Sequence, residues 1–360
     1  MFRHLKKLDW TLACSIFFLS FIGLISIYSS SAGEGSFLNF KKQLFFLSAS
    51  FLLMFFISFF DWRTIKENSY FILFFYFICL FAIIGLFFIG SKTRGIVGWY
   101  KLSFFSFDPI EPTKIILIIL LAKYFSMRHV EMYRLSHIIV SGLYVLAPAF
   151  LIVAQPNLGS ALILVAIWFG VLIISGIKLR HFILLILAGV LIFSASWPFV
   201  LKDYQKQRII SFLTPQLDPL GSGWNQTQSK IAVGSGGIFG QGFLKGSQTQ
   251  YGFLPEAQTD FIFAAIAEEF GLIGVFVIFI LFIILIWRII KIAVNSGFNF
   301  PRIFAAGFIV VLMSQILIHI GMNLGIFPVI GISLPFVSYG GSGLLFMYMG
   351  IGILQSIKTH

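Results

Sequence analysis

Ten long apolar runs divide this sequence, and they restrict its fold more than any other feature. A helix needs about 20 mostly apolar residues to cross the hydrocarbon core of a bilayer. We therefore predict an all-α integral membrane protein with about ten transmembrane helices. The predicted spans cover residues 10–29, 41–60, 70–90, 110–125, 137–154, 158–176, 181–200, 261–288, 301–323 and 336–356. Only Gln155-Pro156-Asn157 separates the fifth run from the sixth, so a count of eight or nine stays open.

Composition excludes an ordinary soluble protein. Hydrophobic residues make up 59% of the 360 residues and charged residues 11%, against about 45–50% and about 25% in soluble domains. The net charge of +12 does not indicate nucleic-acid binding, because the basic residues form short clusters between apolar runs, as topology signals do. Cys14 and Cys79 both lie inside apolar runs, so neither a structural disulfide nor a metal site is predicted.

Lys and Arg are concentrated in the segments that lie inside when the N-terminus is placed in the cytoplasm. The short outer loops then hold only Lys41, Lys42, Lys92, Arg94 and Lys101. Cytoplasmic loops of membrane proteins carry the excess of Lys and Arg, so we expect both termini inside. This orientation places every chemically unusual segment outside, namely 91–114, 155–160, 201–260 and 325–342.

Residues 201–260 form one large outer loop between the seventh and eighth predicted spans, within a single membrane domain covering residues 1–360. The loop contains the run GSGGIFGQGF, whose glycines permit close backbone approach and whose bare amides suit anions. Amphipathic pieces such as IISFL and KIAV suggest that it lies on the membrane surface. A flexible linker is the alternative, although the aromatic residues of the loop are atypical of linkers.

Asp260 stands where this loop enters the eighth span, and the residues alone leave two interpretations open. In the first, Thr259 caps the helix and the helix dipole stabilises a carboxylate in the first turn. In the second, a carboxylate at an apolar boundary has a raised pKa and acts as a general base. Glu256, Glu268 and Glu269 are nearby alternatives, and the last two lie at a depth where ionisable residues are costly.

Two further segments carry unusual chemistry. In DPIEPTK, Pro112 fits the first helical position, which would put Glu111 near the cap and Lys114 in the first turn. A lysine there needs an anionic partner, either Glu111 or Asp260, and the pair is either structural or substrate-positioning. The run GMNLGIFPVIGISLPFVSYGGSG predicts broken or re-entrant backbone lining a cavity. We expect His319, before this run, to be packed or hydrogen-bonded rather than a ligand.

These segments, in this order, resemble the SEDS family of shape, elongation, division and sporulation proteins. The resemblance covers essentially the whole chain and rests on EPTK, QPNLGSA, RIISFLTPQLDPLGSGWNQTQSKIAVGSGG, FLPEAQTDFIFAAIAEEFG and PVIGISLPFVSYGGSG. DPLGSGWN, QSKIAVGSGG and GQGFLKGSQTQYGFLPE are more similar to the elongation branch than to the division branch.

The resemblance implies a peptidoglycan glycosyltransferase in the bacterial cytoplasmic membrane. Its substrates would be lipid II and the undecaprenyl-pyrophosphate-linked glycan, and its partner a class B penicillin-binding protein. Asp260 would be catalytic as the base that takes the proton of the acceptor 4-hydroxyl. Lys114, Arg208 and the glycine-loop amides would face the pyrophosphate, and a divalent cation, Mg²⁺ or Mn²⁺, could share that task. The supporting or substrate-positioning residues would be Glu111, Lys114, Arg208, Gln228, Glu256 and Ser338.

Several positions depart from the family pattern: Gly98, Asn157, His319, Ser333 and Gly343. These departures put a catalytic role for those positions in doubt. Two alternatives of other classes stay open as well, a flippase that moves lipid II across the bilayer and a scaffold that only recruits a penicillin-binding protein.

Overall fold

A computed structural model describes residues 2–93, 96–102, 105–127, 135–199 and 221–360, together with positions 206, 208, 210–212 and 214. Helices dominate this part of the chain. In chain order they are α1 (Phe2–Lys7), α2 (Trp10–Glu34), α3 (Leu38–Ser58), α4 (Trp62–Glu67), α5 (Ser69–Ile89), α6 (Ile110–Ser126), α7 (Leu135–Ala154), α8 (Leu158–Ile174), α9 (Leu179–Phe199), α10 (Ser222–Ser235), α11 (Ser247–Gln250), α12 (Ile262–Asn295), α13 (Asn299–Leu324) and α14 (Gly341–Thr359).

Ten of the helices in the described residues are long, and they match the ten predicted spans one to one. Seven of them have both the length and the apolar composition needed to cross a membrane, and α8 is a shorter apolar helix. The chain is therefore an all-α multi-pass membrane protein. The number of crossings stays a prediction, because α6, α8 and α14 fall outside those seven.

The turn predicted at residues 155–157 is present between α7 and α8. Asn157 caps α8, because its side-chain oxygen accepts a hydrogen bond from the amide of Ser160 at 3.2 Å. This role needs a side-chain oxygen rather than a charge. Asn157 can therefore cap α8 although its side chain carries no charge.

Three short strands, which the sequence did not predict, lie between α5 and α6. Strands β1 (Ser91–Thr93), β2 (Ile96–Lys101) and β3 (Ser106–Phe107) pair antiparallel in the order β1-β2-β3. The hydroxyl of Tyr100 donates to the main-chain oxygen of Ala82 at 2.6 Å, which holds the sheet against α5. Alternation over so few residues is too short a signal for a strand prediction.

The last predicted span begins later than expected. Residues 325–340 contain no helix, and α14 starts at Gly341 rather than at residue 336. The glycine- and proline-rich run therefore has the broken backbone that its composition indicated. Its main-chain amides contact other elements instead of continuing a helix, as the amide of Gly340 does by donating to Gln43 Oε1 at 3.2 Å.

Polar contacts gather at two ends of the bundle. At one end, Arg288 of α12 binds the buried carboxylate of Asp9, and Gln355 of α14 bonds both the amide and the carbonyl of Asp9 at 2.8 and 2.9 Å. At the other end, Asn39 of α3 and the segment 325–340 both bind Gln258 in the segment that enters α12, and Asp108 binds Ser342 of α14. We call this second end the site end.

The segment that enters α12 is folded against the bundle. Helix α10 packs on α12 and α13, and Ala232 on α10 is fully buried with Leu254, Phe261 and Ala264. The described part of the 201–260 loop is therefore not a flexible linker. Of IISFL, one of its two predicted amphipathic pieces, residues 210–212 are among the described residues and 209 and 213 are not, and its position on the membrane surface stays a prediction.

Candidate functional site

Two consecutive carbonyl oxygens of the main chain that leads into α12 accept hydrogen bonds from another segment of the protein. The carbonyl oxygen of Gln258 accepts a hydrogen bond from the amide of Tyr339 at 2.8 Å. The carbonyl oxygen of Thr259 accepts one from the hydroxyl of Ser338 at 2.9 Å. Both donors belong to the non-helical segment 325–340. The segment predicted to line a cavity therefore fixes the backbone immediately before Asp260.

Asp260 itself is half-buried, in a turn directly before α12. Its carbonyl oxygen accepts a hydrogen bond from the side-chain amide of Asn323 at 3.0 Å. The ideal Cβ position on Gly331 lies 3.9 Å from Asp260 Oδ2, so the carboxylate faces the backbone of the 325–340 segment. Gly331 has a φ of +72°, a conformation that glycine adopts without steric cost.

The capping interpretation of Thr259 is wrong. Helix α12 begins at Ile262, and Phe261 occupies the N-cap position without a side-chain cap. The Thr259 hydroxyl instead donates to Glu256 Oε2 at 3.0 Å. Asp260 precedes the N-cap and is therefore not a residue of the first helical turn. Glu256 is exposed, and its φ of +50° bends the chain back so that its carbonyl accepts from the amide of Phe261 at 3.2 Å.

The Glu111–Lys114 pair is formed, with 2.7 Å between Lys114 Nζ and Glu111 Oε1. The lysine side chain is 3% exposed and the glutamate side chain 14%. Helix α6 starts at Ile110, so the prediction that Pro112 occupies its first position is wrong. Pro112 is the third residue of the helix, where a missing amide hydrogen is still harmless because first-turn amides have no partner within the helix.

A small cavity of about 30 Å³ lies between Glu111 and the non-helical segment 325–340. Its wall includes Glu111, Gln315 on α13, and Ser338. Gln315 is buried, and its Oε1 has no hydrogen-bond partner among the described residues. A cavity of this size can hold a water molecule, which needs polar partners of this kind. Glu111 and Ser338 thus border the same small cavity at the site end.

Asp108 is a site-end carboxylate that the sequence interpretation left aside. Its Oδ1 accepts from the amide of Ile110 at 2.8 Å, and its own amide donates to the hydroxyl of Ser342 at 3.4 Å. Burial raises the pKa of Asp108 to about 7, and the neighbouring charge of Glu111 acts in the same direction. The carboxyl therefore titrates near neutral pH. Only its position within DPIEPTK could have drawn attention to it.

Glu268 and Glu269 on α12 are almost completely buried, and both are hydrogen-bonded. Glu268 accepts from the amide of Gln248 at 2.7 Å and from the amide and hydroxyl of Thr249 at 3.1 and 2.7 Å. Glu269 accepts from the hydroxyl of Ser29 and from the side-chain amide of Gln250 at 3.2 Å. These carboxylates hold α11 against α2 and α12, which accounts for ionisable residues at this depth.

The glycine run approaches α12 as closely as predicted. A Cβ on Gly236 would lie 1.9 Å from the carbonyl oxygen of Ala267. The amides of Gln241 and Gly242 donate to the carbonyls of Glu268 and Glu269 at 2.9 and 3.0 Å. These two amides are therefore occupied, so the prediction of a bare-amide anion site is wrong for them.

The remaining predicted site residues lie on the loop. Gln228 is buried on α10. Arg208 is half-buried, and most of the residues next to it in the sequence are outside the described residues. Their roles stay predictions. His319 is hydrogen-bonded as expected, because its Nδ1 donates to the carbonyl of Ile332 at 2.7 Å. Among the described residues, no three His, Cys, Asp or Glu side chains are grouped to hold a metal ion, and the Mg²⁺ or Mn²⁺ prediction stays untested.

Sequence reasoning missed Asn323, which contacts Asp260 directly. The residue lies within the glycine- and proline-rich run but carries no charge, and no local pattern marks it. Its partner is distant in sequence, so only the fold reveals the contact.

Comparisons with known proteins agree with this architecture. The FtsW/RodA/SpoVE family model, described as a cell cycle protein, matches residues 7–360. The peptidoglycan glycosyltransferase MrdB of Escherichia coli K12 is 38% identical over 79% of this chain and 77% of its own length. Stage V sporulation protein E of Bacillus subtilis 168 is 37% identical over 94% of this chain and 93% of its own.

A solved chain from a peptidoglycan synthase complex, in which polymerization and crosslinking are structurally coordinated, has the same fold. It superposes with a TM-score of 0.82 at 27% identity, covering 98% of this chain and 97% of that one. With a family model that extends over almost its whole length, this chain belongs to the FtsW/RodA/SpoVE family, the SEDS family whose motifs it carries.

Proposed function

We propose that the protein is a peptidoglycan glycosyltransferase that polymerises lipid II into β-1,4-linked glycan at the outer face of the bacterial cytoplasmic membrane during cell elongation. The names of its relatives support the activity. The observation that carries the proposal is the position of Asp260. Asp260 is half-buried at the site end, and hydrogen bonds from two other segments hold its carbonyl and the carbonyl of Thr259 before it.

The chemistry requires one displacement. The acceptor 4-hydroxyl oxygen forms a bond to the anomeric carbon of the donor sugar, and the bond from that carbon to the pyrophosphate oxygen breaks. The hydroxyl proton passes to Asp260, and the pyrophosphate leaves with the bonding electron pair. Because the donor linkage is α and the product linkage is β, a single inversion accounts for the outcome. No covalent glycosyl-enzyme intermediate is needed.

The leaving pyrophosphate needs positive charge in a site with little water. Lys114 is a candidate, although its ammonium group already contacts Glu111 at 2.7 Å and the pair as a whole is neutral. Arg208 is a second candidate. Either Mg²⁺ or Mn²⁺ would add charge at the phosphates, since Mg²⁺ commonly binds through one or two carboxylates together with substrate phosphates.

Labelled lipid II and purified protein provide the test. Wild-type protein is expected to produce a ladder of glycan polymer on a gel, and Asp260→Ala and Asp260→Asn are expected to produce none. The asparagine variant keeps the size and polarity of the side chain and removes only its basicity. Equal polymer from wild type and Asp260→Asn would remove Asp260 from the mechanism.

The same assay separates the two alternatives. A flippase would move lipid II into the outer leaflet of a vesicle without making polymer, and a scaffold would make none even when its partner is added. We propose a class B penicillin-binding protein as that partner, because the similar solved chain belongs to a complex that couples polymerization to crosslinking. Co-purification of the two full-length proteins from membranes would test this association.

The outer location of the site follows from an orientation with both termini in the cytoplasm. Fusing a reporter that is fluorescent only in the cytoplasm to the C-terminus is expected to give signal. The same reporter inserted after Tyr251, an exposed residue of the site end, is expected to give none. The reverse pattern would place Asp260 on the cytoplasmic side and contradict a polymerase that acts outside.

A further inference from the structure

Asn323, near the C-terminus of α13, has no exposed surface, and its side-chain amide is fully hydrogen-bonded. Its Nδ2 donates to the carbonyl of Asp260 at 3.0 Å and to the carbonyl of His319 at 2.8 Å. Its Oδ1 accepts from the amide of Ala264 at 3.0 Å. Both amide hydrogens and the oxygen are therefore used, and two of the three bonds reach a different helix or its entry.

The bond to Ala264 supplies what α12 lacks at its start. The first amides of a helix have no partner within the helix and usually receive one from the N-cap side chain. Phe261 at the N-cap of α12 cannot accept a hydrogen bond, and the Thr259 hydroxyl is directed to Glu256. Asn323 thus acts as the cap of α12 from another helix, which leaves Asp260 outside the helix with a separately held backbone.

A second contact ties Asn323 to the outer loop. Its carbonyl oxygen accepts from the hydroxyl of Ser229 on α10 at 2.9 Å, and Ser229 is also fully buried. The outer-loop helix, the entry to α12 and the end of α13 therefore meet at one side chain and its carbonyl. A small rotation of any of these elements would be transmitted to the backbone of Asp260.

We infer that Asn323 is a positioning residue for Asp260: it sets the backbone of the carboxylate-bearing residue and caps the helix that follows, without touching the substrate itself. This inference rests on the proposed function, in which Asp260 removes the acceptor proton. Displacement of a reacting group by about 1 Å can lower a rate about a hundredfold. The loss should therefore appear in the chemical step rather than in substrate binding.

Two variants test the role. Asn323→Leu keeps the approximate volume and removes every side-chain hydrogen bond. Asn323→Ser is milder, since a helical serine can satisfy itself on the carbonyl four residues earlier, here His319, but cannot span the distance to Asp260. Gln355→Leu is the matched control. It removes an equally buried amide that also bonds a main-chain amide and carbonyl, at the opposite end of the bundle.

The full-length protein is assayed with labelled lipid II at a temperature well below the melting point of every variant. We expect kcat per folded protein to fall about ten- to a hundredfold in both Asn323 variants with KM unchanged. Gln355→Leu should melt earlier but keep a kcat within about twofold of wild type. A kcat that is unaltered in Asn323→Ser, or one that falls equally in Gln355→Leu, would overturn the inference.

Hydrogen exchange supplies a readout that does not depend on the activity. The peptide that contains residues 258–266 should exchange faster in Asn323→Ser than in wild type, because the amide of Ala264 loses its acceptor. Peptides from the far end of α12 should be unchanged. Unchanged exchange at 258–266 contradicts the inference even if wild type polymerises lipid II. Absence of polymer from wild type, with the exchange change present, contradicts the proposed function instead.

Discussion

The hydroxyl of Ser338 donates to the carbonyl of Thr259 at 2.9 Å and accepts from the amide of Leu334 at the same distance. One small side chain therefore folds the non-helical segment on itself and joins it to the residue before Asp260. Ser338 also borders the cavity that reaches Glu111. Ser338 therefore contacts the residue before Asp260 and borders the same cavity as Glu111.

Replacing this residue should therefore affect both stability and rate. Ser338→Ala removes the partner of the part-buried Thr259 carbonyl and of the buried Leu334 amide, and a fully buried unsatisfied group costs about 1–3 kcal/mol. We expect a lower melting temperature and a reduced kcat. Ser15→Ala is a suitable control, since the Ser15 hydroxyl is equally buried but bonds only the carbonyl of Leu12 within its own helix. Similar activity losses in both variants would contradict the prediction.

The Glu111–Lys114 pair can be divided into a structural and a functional part by a double-mutant cycle. Lys114→Met alone leaves Glu111 with an unpaired charge at a largely buried site, which typically costs about 3–5 kcal/mol. Adding Glu111→Gln removes that charge and should restore most of the stability. Thermal unfolding measures this recovery.

Polymerisation by the double variant then decides the role of the lysine. If Lys114 stabilises the leaving pyrophosphate, activity stays low although the fold is restored. Recovery of activity together with stability would show that the pair serves the structure alone.

Two glycines two residues apart, Gly234 and Gly236, offer a matched pair of substitutions. Gly236→Ala would place a methyl group 1.9 Å from the carbonyl of Ala267, so the loop and α12 must separate, at a cost of about 1–3 kcal/mol. Gly234 lies on α10 with no neighbour within 4 Å of the ideal Cβ. Gly234→Ala should therefore be neutral or stabilising by up to about 1 kcal/mol. Melting temperatures of the two variants in the same detergent test the contrast.

Asp108 gives the stability a pH dependence. Its pKa is raised from 3.8 to about 7 in the folded protein, so the folded state binds the proton more tightly than the unfolded state does. The stabilising contribution of the protonated carboxyl is complete below about pH 4 and is lost as the pH rises through 7. Asp108→Asn keeps an oxygen for the amide of Ile110 and should flatten this slope. Identical slopes in melting temperature between pH 4 and 8 would contradict this assignment.

Local signals predicted the helices and the short connections well. Each apolar run became one long helix, and Gln155-Pro156-Asn157 formed the turn that its composition indicated. The proximity of Glu111 and Lys114 followed from their spacing of three residues on a helix. In these cases the residues that decide the structure are neighbours in the sequence.

The arrangement around Asp260 could not be predicted in this way. Its backbone is held by Asn323 and its neighbour by Ser338, and both donors are more than 60 positions away along the chain. The glycine-loop amides appeared free in the sequence because their acceptors, the carbonyls of Glu268 and Glu269, become available only where α12 is interrupted. Contacts of this kind depend on how helices pack, which local composition does not encode.

The interruption of α12 at Gly271 makes the glycine run of residues 236–242 part of the hydrogen bonding of that helix. Gly271 has φ 64° and ψ −162°, and the carbonyls of Gly237 and Ile238 accept the amides of Leu272 and Ile273 at 3.0 and 3.2 Å. The two carbonyls thus supply the hydrogen-bond acceptors that these amides of α12 lack where the helix is interrupted. Although connected like a loop, the glycine run cannot vary in length as surface loops do, because one residue more or fewer would leave polar backbone groups unsatisfied in an apolar surrounding. Natural or engineered insertions should be tolerated near exposed Tyr251 instead, and the stretch from Gly236 to Gly242 should behave in evolution like the core of a transmembrane helix.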